Sequence, residues 1–541
     1  MSFNSLDWIV VSLYFLVLMG IAWWVVRRKV ESSEDYFLAG RHVGWFVIGA
    51  SIFASNIGSE HIVGLAGTGA KSGVAMGHYE LHAWLVLVLG WVFVPFYMRS
   101  RVFTMPEFLE KRYNPTARWF LSLTTLVAYV LTKISVTIYA GAVVFHVLMG
   151  IDFWTGALFV VILTGIYTVL GGLRAVVYTE ALQAMVLLAG SVTVTITGLI
   201  KLGGWNQLIT LVDPDHLNMF LPADHPDFPW TGMVFAPPIV GLWYWCTDQY
   251  IVQRVLAAKD ESTARRGTIF AAYLKLTPFF IFLLTGVIAF ALAKSGQLEL
   301  AEADQAFPAM VAALLPAGVR GLVAGGLLAA LMSSLAAVFN SSSTLFTMDI
   351  YKKLHPEASE RTLVIVGKSA TAVLVVLGIA WIPLLRNISG ELYHYIQSVQ
   401  SYVAPPIAAV FLLGLFSKRI NATGALAALI GGFAVGMGRL AAELNKDSLS
   451  GWLYTFADLN FLHFCVFLFR VCIVLMVVGS LLTAAPSEES IRGLTYATTV
   501  AEDKAASRAS WNWPDVVHSV IVLAVVAAVL IYFSPLRTYF N

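Results

Sequence analysis

Glutamate, histidine and lysine side chains stand inside stretches of this chain that are otherwise apolar enough for a bilayer. The run 45–84 reads WFVIGASIFASNIGSEHIVGLAGTGAKSGVAMGHYELHAW, and its centre, Ser55-Asn56-Ile57-Gly58-Ser59-Glu60-His61, is polar. Further on, Glu80 interrupts GHYELHAW, Lys133 interrupts LTKIS, Lys275 interrupts AAYLKL and Gln397 interrupts YIQ. Trp243-Tyr244-Trp245-Cys246-Thr247-Asp248-Gln249 is a second polar cluster inside an apolar run. Ionisable groups at membrane depth are costly unless they face a cavity or a partner, and they mark ion and solute pathways. A helix broken at 55–61 frees carbonyls and hydroxyls, which membrane proteins tolerate where they line a protein-enclosed cavity. A polar seam of small residues between helices also accounts for the glycine and serines. It leaves Glu60 and His61 without a reason.

The elements that must position these groups are membrane spans. The chain has 541 residues, 58% hydrophobic and 12% charged, about half the charge of a soluble domain. Apolar runs lie near 8–26, 45–70, 77–98, 118–149, 153–170, 177–202, 230–256, 268–293, 316–350, 362–385, 389–416, 422–440, 461–484 and 515–534. These predict an all-α membrane protein of about fourteen transmembrane helices. Basic residues follow every second run: Arg27, Arg28, Lys29 and Arg41; Arg99 to Arg118; Arg174; Arg254 to Arg266; Lys352 and Lys353; Lys418 and Arg419. The loop 203–229 has no Lys or Arg and carries Asp213, Asp215, Asp224 and Asp227. The positive-inside rule then puts the basic loops in the cytoplasm and both termini outside. Met1–Asp7 lacks a basic n-region, so the first span reads as a retained helix.

The two polar interruptions, at 55–61 and 243–249, are five spans apart. Five spans per repeat bring the second copy in from the opposite side, an inverted topology. The expected organisation is 1–44, a peripheral first helix and cytoplasmic loop; 45–202, five helices; 203–229, an extracellular loop; 230–416, five helices; and 417–541, three peripheral helices with a cytoplasmic loop at 485–513.

ASNIGSEHIVGLAGTGA resembles the first core helix of the sodium/solute symporter family, in its sodium/glucose cotransporter branch. TMPEFLEKRY (104–113), WYWCTDQYIVQR (243–254), SSLAAVFNSSSTLFTMDIY (333–351) and YIQSVQSYVAPPIAAVFLLGLF (395–416) continue the resemblance in the family's order. It implies a LeuT-like fold with a 5+5 inverted repeat and discontinuous helices. It also implies Na⁺ as the coupling ion, with no organic cofactor. A hard ion takes oxygen ligands. The ligands carried over are the carbonyls of Ala54, Ile57 and Ala330 and the hydroxyls of Ser333 and Ser334. Read from the residues alone, the serine pair is equally a helix-packing pair bonded back to the preceding turn. Some relatives have a second sodium site. Ala336-Ala337 and Glu180, after Tyr178-Thr179, stand at its positions here, and alanine side chains cannot ligate. One Na⁺ per sugar is therefore expected, with Glu180 a solvated charge paired to a nearby cation.

A hexose needs donors and acceptors around its rim and an aromatic platform. The resemblance maps that rim onto His61, Glu80, Lys275 and Gln397, with Asn56 as a further contact. Tyr244 would stack on the ring as an inner gate, with Tyr79 and Tyr393 covering the outer face. Alternative positions for these residues are ordinary ones: Lys275 snorkelling, Glu80 solvated at a span end, Tyr244 in an interfacial aromatic belt. Gly241, Ala83, Tyr393 and His394 depart from the family pattern, which leaves the sugar open and not the class. Lys133 reads as a structural or gating charge.

The function expected is sodium-coupled import of a hexose by alternating access across the plasma or inner membrane. Import of myo-inositol or another polyol, proton coupling through Glu60 and His61, and a sugar sensor or leak are the other readings. A sensor would need a signalling output, and the longest inside loop, 485–513, is short. The chain carries no HExxH, GxSxG or P-loop motif, which argues against a membrane enzyme. Its net charge of +2 argues against a nucleic-acid partner. Cys246, Cys465 and Cys472 have no metal-binding spacing. The expected partners are a monosaccharide and membrane lipid, with no obligate protein partner evident.

Overall fold

The computed structural model describes residues 3–27, 30–58, 60–134, 137, 138, 141, 145, 149–385 and 392–536. Among them the chain is helical, and the β pairing is a single bridge between Val43 and Ala258. Its principal helices are α1 (Ser5–Val26), α2 (Trp45–Asn56), α3 (Ala66–Ser72), α4 (Gly77–Ser100), α5 (Met105–Arg112), α6 (Pro115–Ala128) and α7 (Phe153–Leu202). After the outer loop come α8 (Trp230–Cys246), α9 (Gln249–Leu256), α10 (Glu261–Lys294), α11 (Val319–Leu354), α12 (Glu360–Leu385) and α13 (Leu392–Phe416). The chain closes with α14 (Ala422–Leu444), α15 (Phe461–Leu481), α16 (Ala501–Ala509) and α17 (Trp513–Tyr532).

Ten helices among the described residues are long and apolar enough to cross a membrane, and eleven when the bent pair α2–α3 counts as one span. The fourteen apolar runs differ from this for local reasons. Runs 153–170 and 177–202 both lie in α7, whose 50 residues are two helices joined across a kink, so two runs fall within a single candidate span there. Gly172 interrupts it at φ 54°, ψ −153°, and a β-carbon there would lie 2.4 Å from the Tyr36 carbonyl oxygen. Run 230–256 is split between α8 and α9, and run 118–149 continues outside the described residues.

Both interruptions expected from the sequence are present. Between Trp45–Asn56 and Glu60–Ser72 the axis turns by 63°, with Ile57 extended (φ −82°, ψ 109°) and Glu60–Leu65 wound as a π-helical turn into α3. Gly58 sits at the bend, where a β-carbon would lie 2.2 Å from the Glu60 carboxylate. Between α8 and α9 the chain is extended at Asp248 (φ −76°, ψ 128°). Tyr97 donates to the freed Cys246 carbonyl at 2.7 Å, and the Tyr129 hydroxyl meets the Asp248 carboxylate.

Helix α11 lies at the centre and is buried along nearly its whole length. Its small residues let it close on α7: β-carbons at Gly190 and Gly326 would each lie 3.3 Å from the facing helix's backbone. Without a hydrophobic drive between helices in lipid, such close backbone approach is what holds a bundle together. α2 packs against α10 and α7, and α14 and α15 pack on α13 at the periphery.

Candidate functional site

The α2 break and α11 meet through oxygen atoms. The Ser333 hydroxyl donates to the Ala54 carbonyl at 2.8 Å and to its own helix at Ala330, 2.9 Å. The Ser334 hydroxyl lies 3.2 Å from the Ser55 carbonyl and 3.1 Å from that of Ile57. All five oxygens expected to ligate a cation therefore sit in one cluster. Ser333 and Ser334 bridge two helices, which a purely intrahelical packing serine does not do. The cluster contains no carboxylate, so it suits a monovalent ion, which needs less charge around it than Ca²⁺ does.

The polar groups scattered over six elements also converge. Asn56, His61, Tyr79, Glu80, Tyr244, Lys275 and Gln397 line one cavity with Glu60, His82, Lys133, Gly241, Trp245 and Gln400. Lys275 donates to Glu80 at 2.6 Å and to the Asn56 side-chain oxygen at 3.2 Å. Asn56 in turn donates to the Tyr244 hydroxyl at 2.9 Å, which meets the Tyr250 hydroxyl. The Gly58 N–H points at His61 Nδ1, 3.4 Å away. That leaves Nε2 to carry the proton facing Glu80, 3.6 Å away. Lys275 does not snorkel and Glu80 is not solvated; each is about nineteen-twentieths or more buried. Lys275 also lies 5.4 Å from the Trp245 ring centroid. Gln397 is buried, with its side-chain oxygen lacking a partner among the described residues. The side chain of Tyr393 lies outside the described residues.

The cavity has a volume of about 40 Å³, room for a few waters. A second chamber of about 60 Å³ lies on the far side of Glu60, Lys133, Ile396 and Gln400. Between them, Lys133 sits 4.8 Å from the Tyr244 ring centroid and 5.2 Å from that of Tyr250. This is cation–π geometry on the aromatic pair that closes the cavity floor.

Glu180 corrects an expectation. It pairs with a cation, but not in solvent: Glu180 and Arg254 are both fully buried at 3.0 Å. Ser55 donates to the same carboxylate at 3.0 Å, and Ser51 also bonds to it. Arg254 is 74 residues away, so no local pattern announces the pair.

Two features escaped the sequence reading. His82 lines the cavity although nothing in its local sequence singles it out. Gly241, noted only as a missing contact, is the floor on which the His82 ring rests. A β-carbon at Gly241 would lie 2.7 Å from His82 Cε1 and Nδ1.

The sodium:solute symporter family model matches residues 36–432. Sodium/glucose cotransporter 1 of Oryctolagus cuniculus is 40% identical over 89% of this chain and 79% of the relative. The sodium/mannose cotransporter of Bos taurus is 39% identical over 92% and 90%, and the sodium/myo-inositol cotransporter of Homo sapiens 38% over 91% and 75%. Among solved structures, a Na⁺-coupled sialic acid symporter superposes with a TM-score of 0.77 at 22% identity, covering 90% of this chain and all of that one. Mhp1, a nucleobase-cation-symport-1 transporter, superposes at 0.54 and 13%, covering 86% and 99%. Those two likenesses bear on the fold, which is the LeuT-like fold of Na⁺-coupled transporters. With the family model spanning most of its length and relatives near 40% identity, this multi-pass membrane protein belongs to the sodium:solute symporter family.

Proposed function

We propose that this chain is a sodium-coupled symporter that imports a hexose by alternating access. The observation that carries the reading is the cavity where Asn56, His61, Glu80, Lys275 and Gln397 converge over Tyr244, beside the oxygen cluster of Ala54, Ile57, Ala330, Ser333 and Ser334. A Na⁺ in that cluster ties α2 to α11. The two arms of the α2–α3 break then hold Asn56 and His61 in place for the sugar, so the ion organises the solute site without touching the solute. Lys275, Glu80 and Gln397 offer donors and acceptors to ring hydroxyls, and Tyr244 and Trp245 an aromatic surface. Leaving the cluster inward, Na⁺ releases α2 from α11 and loosens Asn56 against Tyr244. Each Na⁺ entering carries one charge, worth about 2.3 kcal/mol per 100 mV.

One Na⁺ per sugar is the stoichiometry supported. Ala336 and Ala337 are buried without side-chain oxygen to offer, and the Arg254 guanidinium already occupies the Glu180 carboxylate. The near-equal identity to a myo-inositol cotransporter keeps a second reading, a polyol as cargo. The basic loops put the α3–α4 connection and the 203–229 loop outside, with both termini.

Uptake of radiolabelled D-glucose and D-galactose into proteoliposomes, under an inward Na⁺ gradient and an equal K⁺ gradient, tests the reading. Concentrative uptake with Na⁺ alone, lost at limiting Na⁺ in Ser334→Ala and lost in Gln397→Ala, is the expected result. Uptake indifferent to Na⁺ overturns the cation assignment. Na⁺-driven uptake of myo-inositol with neither hexose taken up selects the second reading.

A further inference from the structure

We infer that His82 is a substrate-contacting residue of this cavity, donating to or accepting from one hydroxyl of the bound solute through Nε2. The inference rests on the sugar-site reading above and adds a residue to it. His82 is 5% exposed, lines the same cavity as Lys275, Glu80 and Gln397, and its Nε2 has no hydrogen-bond partner among the described residues. Buried polar atoms are nearly always bonded, and an orphan nitrogen needs an explanation. Here the explanation is at hand, because the ring that carries it lines a chamber rich in hydrogen-bonding side chains, suited to a polyhydroxylated guest.

Its neighbours hold the ring in place. The Tyr79 ring lies 5.6 Å away, tilted by 59°. On the other side, the absent side chain of Gly241 makes the space: a β-carbon there would also lie 2.4 Å from Leu85 Cδ1. Gly241 has an ordinary helical conformation inside α8, so backbone freedom does not require glycine at this position. What requires it is space, which the imidazole and the Leu85 side chain already fill. Gly241 and His82 therefore act as a pair, in which a small residue on α8 lets α4 supply the polar group at this corner of the cavity. A site that hydrogen-bonds a hydroxyl rejects an analogue lacking it, because its own polar atom is then left unpaired. His82 thus contributes to which sugar is chosen.

The test is binding of D-glucose, D-galactose and their monodeoxy analogues to the full-length protein in saturating Na⁺, read by intrinsic tryptophan fluorescence, with uptake at saturating sugar measured in parallel. His82→Phe keeps a ring against Gly241 and Tyr79 but removes the nitrogens. It is expected to weaken binding of the preferred hexose by about 10- to 100-fold while maximal uptake is retained. One deoxy analogue, the one lacking the bonded hydroxyl, should bind the wild type and His82→Phe equally. Gly241→Ser should displace the ring and reproduce the loss, yet add little in a His82→Ala background. If His82→Phe leaves affinity unchanged, or weakens every analogue equally, the inference is overturned and the ring is packing alone. If the unaltered chain binds no sugar at all, the sugar-site reading fails, and this inference falls with it for that separate reason.

Discussion

Arg254→Met removes the guanidinium from a fully buried carboxylate, and its consequences can be worked out from the contacts. Glu180 then keeps hydrogen bonds from Ser51 and Ser55 but loses its only opposite charge within 4 Å among the described residues. Breaking a buried ion pair from one side typically costs about 3–5 kcal/mol, whereas replacing both partners with neutral groups of similar size costs much less. Arg254→Met should therefore destabilise by that amount, and Glu180→Gln/Arg254→Met by less than Arg254→Met alone. The assay is unfolding in mixed micelles followed by tryptophan fluorescence, in K⁺ and in Na⁺. The pair joins α7 to α9 and holds α2 through the two serines, so the loss should appear as global instability. Because the variant exposes a carboxylate and two hydroxyls to one another, Na⁺ should restore part of its stability, and K⁺ should restore less. Additive single and double effects below about 1 kcal/mol, as for solvent-exposed pairs, would refute the buried-pair argument. Equal stability in Na⁺ and K⁺ would refute the claim that the guanidinium holds the place of a second cation.

Three further outcomes are expected. Ser334→Ala should raise the Na⁺ concentration for half-maximal uptake about tenfold, whereas Ser341→Ala, whose hydroxyl bonds only its own helix at Ala337, should not; equal shifts would remove Ser334 from the cation cluster. Gly172→Ala forces an alanine to φ 54° with its β-carbon 2.4 Å from the Tyr36 carbonyl; a loss of about 1–3 kcal/mol should appear as a lower unfolding midpoint, and an unchanged midpoint would mean that α7 is straight there. At the basic end of the bundle, burial pushes the Glu110 carboxyl up, but Lys353 and Arg118 outweigh it and hold the group below the usual carboxylate range. A depressed folded value contributes stability above the unfolded value that is lost as pH falls through the folded one. The gap in unfolding midpoint between wild type and Glu110→Gln should therefore close from about pH 6 to about pH 3, and a gap that widens would contradict the assignment.

The broken helices were legible because Gly, Ser, Asn and Thr-Asp interrupt apolar runs at membrane depth, where only backbone freed into a cavity makes sense of them. The convergence of Asn56, His61, Glu80, Lys275 and Gln397 was legible only through the resemblance, since the residues come from five elements and no spacing along the chain encodes their meeting. Glu180 was misplaced into solvent because its partner lies on a distant helix. The break between the fifth and sixth apolar runs was legible from Arg174, which lies just past the non-helical Gly172 where the two helices of α7 meet. His82 escaped because its role depends on a side chain that Gly241 does not have, and an absence on another helix leaves no mark beside the histidine.

The serine hydroxyls at the α2 break have a bearing on the half of the cycle that carries no cargo. An importer must return with its sites discharged, and that return is slow if the vacated ligands are left bare at membrane depth. Ser333 and Ser334 donate to the carbonyls of Ala54 and Ile57, two of the oxygens a departing ion would leave behind. Two protons thus stand in for one cation, and the cargo-free bundle keeps its helix ends hydrogen-bonded while it resets. Turnover, and not only affinity, is then written into that serine pair: a substitution that removes these donors would be expected to weaken the ion and also to slow the cargo-free return, lowering the rate even at saturating Na⁺.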